Sequence, residues 1–129
     1  MKSNKKLVYE CEDIEAELRW IFKTENMVAA IRDKKIENLE RFFTIPKIKK
    51  IFSNVDMVYT LKQFLINDLN LAKTSLNSFL HRNTVIYRIN KMSRVTGLDV
   101  RKFDDAILLH NMIYVLQFLN LDNTKDQPA

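Results

Sequence analysis

Hydrophobic positions along this chain recur at spacings of three and four residues, which is the period of an amphipathic α-helix. Val85, Ile89 and Met92 share one face in this way, and Ile14 and Leu18 begin a similar face near the start of the chain. The chain contains one Gly and two Pro, and 47% of its residues are apolar, a composition that favours long helices with short joints. The sequence therefore predicts an all-α protein.

Two short helical patterns meet at a polar corner within residues 70–97. The second pattern ends at Gly97, because glycine suits the left-handed position that follows a helix. The corner is formed by residues 80–81. The first pattern covers residues 71–79, with Asn70 as its N-cap, and its predicted inner face consists of Leu71, Ser75, Leu76 and Phe79. Two short helices joined by such a corner are typical of a helix-turn-helix, whose second helix lies in the major groove of DNA.

Basic residues are concentrated in and around the second pattern. Residues 70–102 contain seven Lys or Arg residues and one acidic residue, a net charge of +6, whereas the whole chain carries +5. A basic patch on a nearly neutral remainder is typical of nucleic-acid-binding proteins. Nine residues of the two patterns and the corner between them are therefore candidate DNA contacts: Lys73, His81, Arg82, Asn83, Thr84, Tyr87, Arg88, Lys91 and Arg94.

The candidate side chains differ in the DNA groups that they suit. Arg82 and Asn83 fall in the first turn, where unpaired backbone N–H groups and the helix dipole attract phosphate. Arg can also pair with guanine and Asn with adenine, so base and phosphate contacts are both open. The two lysines are expected to contact phosphates. Tyr87 could pack on the core or touch DNA, and Arg88 could pair with an acidic residue elsewhere in the chain.

The runs HRNTVIYRI, KM and TGLD within residues 81–99 resemble the signature of the C-terminal helix-turn-helix domain of PucR/CdaR-type transcription regulators. The run TLKQFL at residues 60–65 and the apolar residues 105–119 are similar to flanking helices of that family, so the resemblance covers about residues 46–119. The resemblance implies a bacterial DNA-binding regulator that works as a dimer, with the HRNT helix reading DNA.

Segments on both sides complete the predicted organisation. We expect residues 1–45 to form an arm and one or two helices, residues 46–121 to form the helix-turn-helix domain, and residues 122–129 to form a frayed tail. The last helical pattern is apolar over most of its circumference, as in a helix buried against a partner. We therefore expect a homodimer through this C-terminal helix, which would present two recognition helices to two half-sites of double-stranded DNA.

Other classes of protein find little support in the sequence. No apolar run approaches the roughly 20 residues that span a bilayer, so we expect a cytoplasmic protein with no membrane contact. Cys11, His81 and His110 lack the spacing of metal ligands. The chain has no glycine-rich phosphate loop and no nucleophile motif. We predict that the protein is not an enzyme and uses no metal or cofactor.

A sequence-specific DNA-binding transcription regulator is the interpretation that these patterns favour. The alternative is a helical, dimeric protein-interaction module that keeps the fold without binding DNA. A small-molecule sensor is a further alternative, because an aromatic cluster could line a ligand pocket, although such residues usually form the core. The members of that cluster are Trp20, Phe22, Phe42 and Phe43.

Overall fold

A computed structural model describes residues 11–123 of the chain and the side chains of residues 14–120. In this part every regular element is a helix, which confirms the predicted all-α fold. The helices are α1 (Cys11–Ile21), α2 (Thr24–Arg32), α3 (Glu37–Phe42), α4 (Pro46–Phe52), α5 (Val55–Ile66), α6 (Leu71–Ser78), α7 (Arg82–Thr96) and α8 (Phe103–Asn123). The expected arm before residue 11 and the tail beyond residue 123 lie outside the described residues.

Helix α7 lies at the centre of the fold, because α1, α4, α5 and α6 all pack against it. Its predicted inner face is confirmed, since Val85, Ile89 and Met92 are fully buried. The predicted face of α1 is also buried, with Ile14 and Leu18 in the same hydrophobic cluster. One continuous core thus holds α7 from one side and leaves its other side to solvent.

The N-terminal helices are tied to this core by aromatic and polar contacts. The rings of Phe22 and Phe42 pack edge to face at 5.3 Å, so this part of the predicted aromatic cluster is core. Trp20, by contrast, is exposed. Asn111 of α8 donates from its side-chain amide to the Phe22 carbonyl at 2.9 Å and to the Thr24 hydroxyl at 3.0 Å. These bonds hold α8 against the joint between α1 and α2; the expected division of the chain after residue 45 stays a prediction.

Candidate nucleic-acid interface

Helix α6 begins where the sequence predicts. The side-chain oxygen of Asn70 accepts from the backbone N–H of Lys73 at 2.8 Å, which satisfies one of the unpaired donors at the helix start. The inward face of α6 carries Thr74 and Ser78, whose hydroxyls donate to the carbonyls of Asn70 and Thr74. Small side chains with their hydroxyls satisfied let α6 lie close to its neighbours α5 and α7.

The predicted inner face of α6 is wrong at two of its four positions. Leu76 is 75% exposed and Phe79 is 93% exposed, while Leu71 and Ser75 are half-buried. The helix ends at Ser78, and Phe79 follows in the left-handed conformation with φ 60°, so its side chain leaves the helical pattern. Two large apolar side chains therefore stand in solvent beside the turn of the motif.

His81 caps the start of α7. Its ring Nδ1 accepts a hydrogen bond from the backbone N–H of Asn83 at 3.0 Å. The backbone carbonyl of His81 accepts from the N–H groups of Thr84 and Val85. The side chain and backbone of His81 thus pair several of the first-turn donors that the sequence left to phosphate.

The outer face of α7 carries most of the candidate DNA contacts. Asn83, Tyr87, Lys91 and Arg94 follow one another at spacings of four, four and three, so they form a single stripe along the helix. Asn83, Tyr87 and Arg94 are exposed, Lys91 is partly exposed, and the stripe lies opposite the buried residues of α7. Arg82 is exposed in the first turn, and the neighbouring Thr84 is half-buried. This surface could enter a groove without disturbing the core.

Arg88 is turned toward α5. Its Nη1 donates to the hydroxyl of Thr60 at 2.9 Å and approaches the backbone carbonyl of Asp56 at 3.5 Å. The partner is thus a buried hydroxyl instead of the acidic side chain that the sequence left open. Sequence reasoning missed Thr60, because a threonine within an apolar helical pattern carries no signal of a partner on another helix. Arg88 ties the middle of α7 to α5.

Lys73, on α6, forms an ion pair with Asp68, which precedes the same helix. Its Nζ lies 2.9 Å from a carboxylate oxygen of Asp68, and both side chains are largely exposed. An exposed pair of this kind contributes little to stability, so the ammonium group can exchange its partner for a phosphate at small cost.

The end of α7 agrees with the sequence. Gly97 has φ 82°, and its N–H donates to the carbonyl of Ser93 at 2.8 Å. A Cβ at this position would lie 2.5 Å from Oε1 of Glu15. Leu98 is buried directly after the glycine, as the pattern predicts.

The loop that follows α7 is held by a charged contact that the sequence did not reveal. Asp105, at the start of α8, accepts from two guanidinium nitrogens of Arg19 at 2.9 and 3.2 Å and from the backbone N–H of Asp99 at 2.8 Å. The Arg19 hydrogen bonds, assisted by that N–H, hold the pKa of the Asp105 carboxyl below its usual value against the opposing effect of burial. Asp105 thereby joins α1, α8 and the loop after α7.

The model of the PucR C-terminal helix-turn-helix domain family matches residues 57–115. Residues 57–115 are a PucR-type helix-turn-helix domain. This domain extends from α5 into α8, so it contains both helices of the motif and the contact between Arg88 and Thr60. The resemblance carried by HRNTVIYRI is confirmed.

Curated relatives match about half of the chain. The carbohydrate diacid regulator of Escherichia coli is 36% identical over 66 residues, which are 51% of this chain and 17% of that protein. An uncharacterized protein of Haemophilus influenzae is 35% identical over 68 residues, 51% of this chain and 18% of its own length. Uncharacterized protein YsfB of Bacillus subtilis is 28% identical over 67 residues, which are 52% of this chain and 18% of that protein.

The chain thus spans less than a fifth of the length of each of these relatives. No solved structure matches the chain. Among the helices of residues 11–123, none is both long enough and apolar enough to cross a membrane. No cluster of His, Cys, Asp and Glu with the geometry of a metal site occurs in the same described residues.

Proposed function

We propose that this chain is a sequence-specific, DNA-binding transcription regulator that inserts α7 into the major groove. The observation that carries the proposal is the exposed polar stripe of α7, on the second helix of a PucR-type helix-turn-helix. The carbohydrate diacid regulator among the relatives supports regulation as the biological role. Such a regulator acts in the cytoplasm, and the family of its helix-turn-helix is not a family of enzymes.

The proposed roles of the contact residues follow from their positions. Arg82 and Asn83 stand at the N-terminal end of α7, where a recognition helix meets base edges, and both are exposed. Lys73, Lys91 and Arg94 would contact phosphates and set the orientation of the motif. Three further residues are proposed DNA contacts. His81 and Thr84 would contact DNA at the start of the helix, and Tyr87 would contact the sugar-phosphate backbone or a thymine methyl.

Arg88 has a different part in the proposal. Because its guanidinium is bonded to Thr60, it holds α7 at a fixed position on α5, and only its remaining N–H groups could reach a phosphate. We therefore propose that Arg88 contributes to DNA binding mainly by positioning the recognition helix.

We also propose that the regulator is a homodimer through α8. The outward face of α8 carries Phe103, Ile107, His110, Tyr114 and Gln117 at alternating spacings of four and three, and all five are exposed. Phe103, Ile107 and Tyr114 are among the exposed large apolar residues of the described chain. None of the five is a Lys, Arg, Asp or Glu, so two copies of this face can meet without placing like charges together.

Selection of bound sequences from a mixed duplex pool at several salt concentrations tests the DNA-binding proposal. The wild-type protein is expected to enrich a twofold-symmetric site and to lose affinity steeply as salt increases. Arg82→Ala/Asn83→Ala should weaken binding to the enriched site by about 10-fold or more and reduce its preference over random duplex.

A matched control is available on α3. Asn38→Ala/Arg41→Ala removes the same two residue types from an exposed hydrogen-bonded pair, and we expect it to bind the site as the wild type does. Absence of binding at low salt, or equal losses in the two double variants, would contradict the proposal. The first result would favour the protein-interaction module, whose partner binding should tolerate loss of Asn83.

A further inference from the structure

A cleft opens on the side of the molecule formed by α4, α5 and the end of α8. Its volume is about 810 Å³, which falls within the range of small-molecule sites. The cleft is lined by residues of all three helices, so its shape depends on their packing against one another and not on a single loop.

The walls of the cleft include two phenylalanine rings that pack against each other. Phe43 and Phe52 both line it, and their rings pack edge to face at 5.5 Å with an interplanar angle of 90°. Val58 and Leu116 add aliphatic surface, and both pack against the core. Side chains fixed in this way offer a preformed apolar surface to a bound molecule.

In the part of the chain whose side chains the structure describes, two lysines and no acidic residue line the cleft. Lys49 of α4 and Lys62 of α5 contribute their side chains, and the other described lining residues are uncharged. Within the described residues, neither ammonium group has an ion-pair partner. Tyr59, which carries a hydroxyl, also lines the cleft. An apolar cavity with two unpaired cations attracts a molecule that has an apolar body and a negative group.

We propose that this cleft binds a small organic anion, a carboxylate or sulfonate with an aromatic or branched aliphatic body, as an effector of the protein. The apolar body lies against Phe43, Phe52 and Leu116, and the anionic group lies between Lys49 and Lys62. The site is distinct from α7. The PucR-type domain contributes only lining residues of α5, because the α8 residues that line the cleft lie beyond residue 115.

Helix α5 connects the cleft with the recognition helix. Val55, Tyr59 and Lys62 of α5 line the cleft, at spacings of four and three. Thr60 and the carbonyl of Asp56, on another side of the same helix, hold Arg88 of α7. A ligand that draws Lys62 toward Lys49 therefore acts on the helix that positions α7. This coupling rests on the proposed function, whereas binding in the cleft does not.

Fluorescence titration with 8-anilinonaphthalene-1-sulfonate, an aromatic sulfonate, tests the site on the full chain without DNA. We expect saturable binding of one molecule per chain, with amide NMR shifts confined to α4, α5 and the end of α8. Lys49→Gln/Lys62→Gln should weaken binding by about 10-fold or more, because both cations that face the anion are lost.

Two controls isolate the charge contribution. Lys50→Gln removes an exposed α4 cation outside the cleft and should leave the affinity unchanged. The uncharged analogue N-phenyl-1-naphthylamine should bind the wild type and the Lys49→Gln/Lys62→Gln variant within about twofold of each other, since it offers no anion. Equal sulfonate affinity in the wild type and that variant, or shifts confined to other helices, would overturn the site.

Repetition of the titration with saturating cognate duplex tests the coupling. We expect the sulfonate dissociation constant to change by about threefold or more, because a ligand that shifts α5 must bind the two states differently. An unchanged constant would overturn the coupling and leave the site intact. Failure of the sulfonate to bind in the absence of DNA would overturn the site and leave the DNA-binding proposal standing.

Discussion

Phe79 and Leu69 share a left-handed backbone but have opposite surroundings. Their φ angles are both 60°, yet Phe79 is almost fully exposed and Leu69 packs against the core. The pattern of apolar residues predicted Phe79 as an inner residue, because it continues the helical period of α6. The period could not reveal that the helix ends at Ser78, since Phe79 is a poor residue for the left-handed position that ends it. Gly97, by contrast, predicted its own conformation.

Replacement of Phe79 by glycine should stabilise the protein. The left-handed conformation costs a non-glycine residue about 1–2 kcal/mol, and glycine avoids this cost. Glycine also loses more conformational entropy on folding, which offsets roughly half of the stabilisation. We expect Phe79→Gly to raise the free energy of unfolding in urea by about 0.5–1 kcal/mol. Leu69→Gly should lower it instead, because the same backbone relief is outweighed by lost packing. Equal signs for the two variants would contradict this account.

At the scale of elements, α1 shows which features of a helix the sequence can predict and which it cannot. Its buried face was predictable, because Ile14 and Leu18 repeat at the helical period, whereas its length was not, since the sequence allowed one or two helices in residues 1–45. The sequence could not predict that Arg19 of α1 pairs with Asp105. The two residues lie far apart in the sequence, and each has residues of opposite charge much closer to it along the chain. Asp104 and Asp105 lie in the first turn of α8, where the helix dipole favours acidic residues, and Asp105 also anchors α1 and the loop after α7.

The contact between α1 and α8 should make stability depend on pH. The folded pKa of Asp105 lies below its unfolded value. The ionised carboxyl therefore contributes to the free energy of unfolding above about pH 4, and this contribution is lost as pH falls through the folded pKa. Asp105→Asn should cost about 1–3 kcal/mol at pH 7 in urea unfolding, and the difference from the wild type should shrink as the pH is lowered. Asp33→Asn, which removes an exposed partner of Arg32, is the control and should change stability little. A cost for Asp105→Asn that is constant with pH would contradict this assignment.

For the whole molecule, the sequence predicted the helix-turn-helix and the broad apolar surface of α8, but not which part of that surface the core uses. Leu109, Met112 and Val115 are buried within the chain, whereas Ile107 and Tyr114 face outward. A pattern that is apolar all round cannot distinguish these two sides, because the side that becomes buried depends on where α2 and α5 pack against α8. The outward side is the part that the proposed dimer would use.

Substitution on this outward side should separate dimerisation from folding. Ile107→Lys places a charge on the α8 face of each copy, so two like charges meet at a twofold interface, and we expect dimerisation measured by sedimentation equilibrium to weaken about 100-fold or more. Trp20→Lys removes an exposed apolar side chain of α1 and should leave the association unchanged. Both variants should unfold cooperatively with m-values near that of the wild type, because neither side chain belongs to the core.

If the dimer presents two recognition helices, Ile107→Lys should also lose the preference for a twofold-symmetric site over a single half-site, while its affinity for the half-site is kept. A dimer that survives Ile107→Lys would move the interface away from α8 without affecting the proposed role of α7.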